Sequence, residues 1–122
     1  MKLIKAVDLA KMMGISRQGV YYLIKKKIIF YYLVDTKMYV PNFEAFVILR
    51  KHMLKDGFED SEITKFFISV TYDVEMAWGI YRMLRKKHVS LNLSHEEKRD
   101  IHSKILELIE IFQNGKDTRM VR

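Results

Sequence analysis

Hydrophobic positions along the first quarter of the chain keep a helical period with one sharp interruption. From Ala6 to Met13, the apolar residues Val7, Ala10 and Met13 fall on one side of a 3.6-residue turn, predicting a short helix. Gly14 is a natural stop, because glycine tolerates the left-handed conformation that ends helices. Ile15 is placed to plug a core between two helices, and Ser16 is a good N-cap for the second of them. Between Arg17 and about Lys26, the apolar residues Val20, Leu23 and Ile24 recur at i, i+3 and i+4, an inward stripe.

The period then changes. Ile28 to Leu33 and Met38 to Val40 are rich in β-branched and aromatic residues, and Val34-Asp35-Thr36-Lys37 lies between them. This pattern predicts a two-stranded hairpin, which must lean on the helices because a lone hairpin is marginal in water. Pro41-Asn42 punctuates the chain, with Asn42 as the expected N-cap of a helix running to about Lys55. Phe43, Phe46, Val47, Arg50, Met53 and Leu54 supply its expected buried and flanking stripe, and Asp56-Gly57 ends it.

The remainder reads as helix. Asp60 to Val70 presents Ile63, Phe66, Phe67 and Val70, and Val74 to Lys87 presents Ala77, Ile80, Tyr81 and Leu84. A loop around Asn92 separates these from a helix over His95 to Gln113, whose start, Ser94-His95-Glu96-Glu97, matches a capping box. Ile101, Ile105, Leu108 and Phe112 form a narrow seam suited to a partner helix. Asn114-Gly115 is the expected stop, with Lys116 to Arg122 as a frayed tail. The expected fold class is mainly α: a winged helix-turn-helix with a small β-hairpin wing over residues 1–57, then a helical C-terminal module over 58–122.

Charge sharpens this division. The chain of 122 residues carries a formal net charge of +7. Met1 to Gly57 holds 11 Lys/Arg against 4 Asp/Glu, whereas Phe58 to Arg122 holds 11 against 11, so the whole excess lies in the first half. Such an asymmetry points to an anionic partner for that half. There is no cysteine, which excludes disulfides and thiolate metal sites. No apolar run is long enough for a signal peptide or a membrane span, so a cytoplasmic, nucleoid-associated location is expected.

Helix, glycine turn and capped helix in that order make a helix-turn-helix motif. If Val20, Leu23 and Ile24 face inward, Arg17, Tyr21 and Lys25 share the outward face, with Gln18 and Tyr22 alongside. Arg and Gln can make bidentate bonds to guanine and adenine edges, while lysines and tyrosine hydroxyls anchor phosphates. The plainer alternatives are that Lys25-Lys26-Lys27 is a solvated helix end and that Tyr31, Tyr32 and Tyr39 pack the hairpin.

The run Leu9 to Lys25, above all Gly14-Ile15-Ser16-Arg17 and Val20-Tyr21-Tyr22-Leu23-Ile24-Lys25, resembles the reading head of the MerR and phage-excisionase winged-helix group. Lys37-Met38-Tyr39 sits where that group has a basic-x-Tyr wing strand. Ile48-Leu49-Arg50, Gly57-Phe58 and Glu62-Ile63 resemble the segment that places a Gly-Phe corner between two helices in MerR proteins. The resemblance spans about Leu3 to Phe67. It implies that Arg17, Gln18 and Tyr21 enter the major groove, that Lys37 touches the backbone, and that C-terminal helices hold a homodimer. It departs from the family in having no C-terminal cysteines and a break near Asn92, which argues against sensing of soft metals.

The resulting expectation is a sequence-specific double-stranded DNA-binding protein, a homodimeric transcriptional regulator. Its expected contact residues are Ser16, Arg17, Gln18, Tyr21, Tyr22, Lys25, Lys26, Lys37 and Tyr39. An architectural, excisionase-like or plasmid-partition role and a protein-interaction module are the alternatives. An effector pocket around Phe67, Trp78 and Tyr81 could coexist with DNA reading, although Phe66, Phe67, Trp78 and the eight methionines read more simply as core or interface. His88, His95 and His102 recur every seven residues but do not share one helix face, so surface histidines rather than a metal site are expected. No phosphate loop, nucleophile elbow or His-Glu-x-x-His is present, and neither catalysis nor a cofactor is expected.

Overall fold

The computed structural model describes residues 2–85 and 93–121. It is mainly helical, with a small three-stranded antiparallel sheet. The elements run β1 (Leu3–Lys5), α1 (Ala6–Met13), α2 (Arg17–Lys25), β2 (Tyr32–Val34), β3 (Lys37–Pro41), α3 (Asn42–Lys55), α4 (Asp60–Ser69), α5 (Val74–Leu84) and α6 (His95–Val121). The sheet order is β1-β3-β2, with Ile4 opposite Val40 and Leu33 opposite Met38.

Local chemistry accounts for the first two helices. Gly14 takes φ 72°, and the Ser16 hydroxyl accepts the Gly19 N–H at 3.1 Å, so stop and cap lie two residues apart. Val20 and Ile24 are buried and Leu23 is half-buried against them. On α1 the buried side is Ala6, Leu9, Ala10 and Met13, with Val7 at its margin.

The hairpin is shorter than its composition suggests. Only Tyr32–Val34 and Lys37–Pro41 pair, around a two-residue turn in which Asp35 and Thr36 take φ 51° and 67°. Two successive left-handed residues give the turn the twist that antiparallel strands require. The third strand, β1, is absent from the sequence reading. Three residues carry no period of their own, and Ile4 becomes a strand residue through its pairing with Val40.

The α3 helix corrects two expectations. Pro41, not Asn42, is the N-cap, and Asn42 is already the first helical residue. The buried face is Glu44, Ala45, Ile48, Leu49 and Met53, leaving Phe43, Val47, Arg50 and Leu54 exposed. Helical geometry, not side-chain size, chose that face. It sets small Ala45 against the Trp78 indole, whose N–H donates to the Ala45 carbonyl at 3.0 Å. The expected end at Asn114-Gly115 is also displaced, since α6 continues to Val121. One interior glycine costs a helix only about 1 kcal/mol relative to alanine, which need not stop it.

One core joins the chain on both sides of Gly57. Leu9, Val20, Val40 and Leu49 belong to the same buried cluster as Phe66, Trp78, Tyr81 and Ile105. Trp78 and Tyr81 are fully buried within it and Phe67 is buried as well, the core role the sequence suggests for Phe67 and Trp78 rather than the alternative of an aromatic effector pocket. Of the expected α6 seam, Ile101 and Ile105 are buried in the same core and Phe112 packs partly buried against it, but Ile109 rather than the half-buried Leu108 completes the inward face. The capping box is formed, with Glu97 N–H donating to Ser94 Oγ at 3.2 Å and Ser94 N–H to Glu97 Oε1 at 3.3 Å. The expected loop at Asn92, and His88, lie outside the described residues.

Candidate nucleic-acid interface

The outward face of α2 follows from its inward one. With Val20 and Ile24 buried, Arg17, Gln18, Tyr21, Tyr22 and Lys25 are all exposed. Ser16 is exposed too, but its hydroxyl is committed to the cap. Lys26, at the C-cap of α2, lies with its ammonium 5.8 Å from the centroid of the Tyr22 ring, a cation–π distance that ties the two side chains together. Among the described residues no ion pair engages Arg17, Lys25, Lys26 or Lys37.

The wing meets this helix at Tyr21. A groove of about 430 Å³ is lined by Tyr21 from α2, by Thr36, Lys37 and Met38 from the turn and β3, and by Lys5, Ala6 and Val7. Lys37 and Tyr21 are thus brought together, and Lys5 joins them. Tyr39 does not line that groove. It is half-buried in the central strand, opposite Lys5 and Tyr32, and opens instead into a cavity between β1, α1 and α5.

Sequence reasoning missed Lys5, because nothing in a three-residue strand announces which way its side chains face. It also misjudged the wing surface. Tyr31 and Tyr32 are exposed rather than packed, and Phe30 and Leu33 are 71% and 62% exposed.

The turn between α1 and α2 is braced from a distance. Arg82 of α5 donates from Nη1 to the carbonyls of Lys11 at 2.8 Å and Met12 at 3.2 Å. The Lys11 carbonyl also accepts the Gly14 N–H at 3.2 Å, and a guanidinium at a helix C-terminus adds a donor to both carbonyls and complements the dipole. Gly14 is wedged against this brace, since a Cβ there would lie 2.6 Å from Arg82 Nε.

Beneath α3, a buried polar group fixes α5. The Tyr81 hydroxyl donates to Asp56 Oδ2 and accepts from Arg85 Nη1 at 3.1 Å, with the Arg85 guanidinium 5.2 Å from the Tyr81 ring centroid. Burial, reinforced by the Asp56 hydrogen bond and charge, pushes the Tyr81 hydroxyl far above the ordinary phenol range. Burial also lowers His52 to about 4, with the Arg85 and Lys55 charges acting in the same direction. His102 Nε2 sits 2.9 and 3.0 Å from the two Glu62 carboxylate oxygens and clips α6 to α4. Burial raises Glu62, but the Glu59 N–H and then His102 outweigh it, and its carboxyl lies below the usual range. Among the described residues no three His, Asp or Glu side chains are grouped to hold a metal ion, and no helix is long and apolar enough to cross a membrane.

No family model matches the chain, and no curated protein or solved structure is significantly similar to it.

Proposed function

We propose that the chain is a sequence-reading double-stranded DNA-binding protein, a transcriptional regulator in which α1 and α2 form a helix-turn-helix and β2–β3 the wing. The observation that carries this reading is the joint surface of α2 and the wing. Arg17, Gln18 and Tyr21 stand exposed and unpaired in ion pairs among the described residues, with Lys5 and Lys37 converging on Tyr21. In this reading α2 enters the major groove, where Arg17 and Gln18 meet base edges. Lys25, Lys26 and the wing Lys37 neutralise phosphates, and Lys5 acts with them. The order of elements and the capped glycine turn agree with the MerR and excisionase resemblance of the sequence.

Dimerisation through α6 remains part of the proposal, but on a different surface. With Ile101, Ile105 and Ile109 buried in the chain, the large apolar side chains of that helix exposed among the described residues are Leu106 and Ile111.

An architectural role is a second reading, favoured by Phe30 and Leu33. Exposed apolar side chains in the basic half of the chain suit insertion between base steps, which kinks a duplex. Selection of the purified chain on a random duplex library at two salt concentrations separates the readings. An enriched motif is the expected result; salt-sensitive retention without a motif favours the architectural role. Absence of retention at low salt would remove both.

A further inference from the structure

We infer that the cavity between β1, α1 and α5 is a binding site for a small anionic ligand with an apolar body. The cavity measures about 780 Å³, within the range of small-molecule sites. Its charge is unbalanced: Lys2, Lys5, Lys11 and Arg82 line it against Asp8 and Glu75. Leu3, Met12 and Val74 supply apolar wall, and the Tyr39 ring lines it as well. The Arg82 guanidinium contributes charge to this wall while its Nη1 holds the Lys11 and Met12 carbonyls.

Gly79 gives an independent reason to read this space as a site. It lies in the middle of α5, where glycine weakens a helix relative to alanine. No close packing requires it there, since an added Cβ would meet nothing within 4 Å. The space in front of it is open, so only a large side chain placed there would fill the cavity.

Two lining residues connect occupancy with the proposed DNA surface. Arg82 holds the carbonyls of Lys11 and Met12 beneath the α1–α2 turn, and Lys5 lines both this cavity and the groove at Tyr21 and Lys37. A ligand anion that drew on Arg82 and Lys5 would loosen the brace and divert one cation from phosphate. This regulatory consequence rests on the DNA-binding reading; the site itself does not.

The test uses the full chain and two probes, 2-naphthoate and phenyl phosphate, followed by amide and arginine Nε–H shifts in NMR spectra. Saturable shifts at Asp8, Lys11, Glu75, Gly79 and Arg82 are expected, with half-saturation at roughly 1 mM for ligands this small. Gly79→Trp should abolish them by filling the cavity, while Gly79→Ala keeps them. Lys11→Gln, on the exposed side of α1, should weaken them several-fold and decides the matter if the tryptophan variant fails to fold. Lack of saturable shifts with either probe, or binding undiminished in both Gly79→Trp and Lys11→Gln, would overturn the site. With a selected duplex, saturating probe should lower affinity by roughly fivefold or more and reduce the salt slope by about one. A chain that binds the probe but no duplex would leave the site standing and overturn the proposed function.

Discussion

Arginine is used in opposite ways at the two ends of the fold. On α2, Arg17 stands exposed, with Lys25 on the same face and without an ion pair among the described residues. On α5, Arg82 is spent on two backbone carbonyls, and Arg85 is buried against the Tyr81 hydroxyl and ring. The charge excess of the first half is therefore available to a partner. The cations of α5 hold the chain together. A count of basic residues cannot tell these uses apart; what distinguishes them is whether a carbonyl, hydroxyl or carboxyl already occupies the guanidinium.

The largest expected effect tests the buried side of this contrast. Arg85→Ala should destabilise the chain by about 3 kcal/mol, because it removes the charged donor to the buried Tyr81 hydroxyl and the guanidinium packed on its ring, leaving Tyr81 only its bond to Asp56. Urea unfolding measures it, and a loss of under about 0.5 kcal/mol would mean that the group contributes little to the fold.

Acid should act through the same neighbourhood. His52 titrates near 4 in the folded chain, whereas an unfolded histidine takes up its proton near 6.5. The unfolded state thus binds more protons between those values, and stability falls as the pH drops from 6.5 toward 4, by roughly 3 kcal/mol in all. Glu62, whose carboxyl is also held below its usual range, adds a loss of the same sign at the acid end. His52→Gln should flatten the upper part of this profile in urea midpoints taken from pH 7 to 4. A profile as steep as that of the unaltered chain would assign the titration elsewhere.

The exposed side is broken by Arg17→Ala. Duplex affinity should fall by about 1–3 kcal/mol with discrimination relaxed at one base position, while stability changes by no more than about 0.5 kcal/mol. An equal loss on every sequence would assign Arg17 to the backbone. The smallest effect concerns the wing. Thr36 is β-branched yet takes φ 67°, so Thr36→Gly should raise stability by about 1 kcal/mol in thermal unfolding. Destabilisation instead would mean that the turn rests on the Thr36 side chain.

Much of the α1–α2 unit was legible in the sequence because its determinants are local. Gly14, Ser16 and the Val20–Ile24 stripe act on chain segments within four residues of themselves. The face of α3 was not legible by the same means. Phe43, Val47 and Leu54 are its larger apolar residues, yet Ala45, Ile48 and Leu49 face the core, because a close approach to Trp78 decides the packing. The Arg82 brace bridges residues 70 and 71 positions apart and leaves no local trace. Lys5 failed for a related reason: only β3, far along the chain, makes β1 a strand and turns Lys5 toward the wing groove. The exposed residues of α2 could be named in advance because a helix with a known inward face has a fixed outward one.

The central claim, that α2 and the wing together form a duplex DNA surface, is tested most directly by mapping amide shifts of the full chain while a selected duplex is added at low salt. The account predicts perturbations along Arg17–Lys25 and at Lys5, Thr36 and Lys37, with α4 and α6 undisturbed. Perturbations confined to α4 and α6, or none at any duplex concentration, would contradict it.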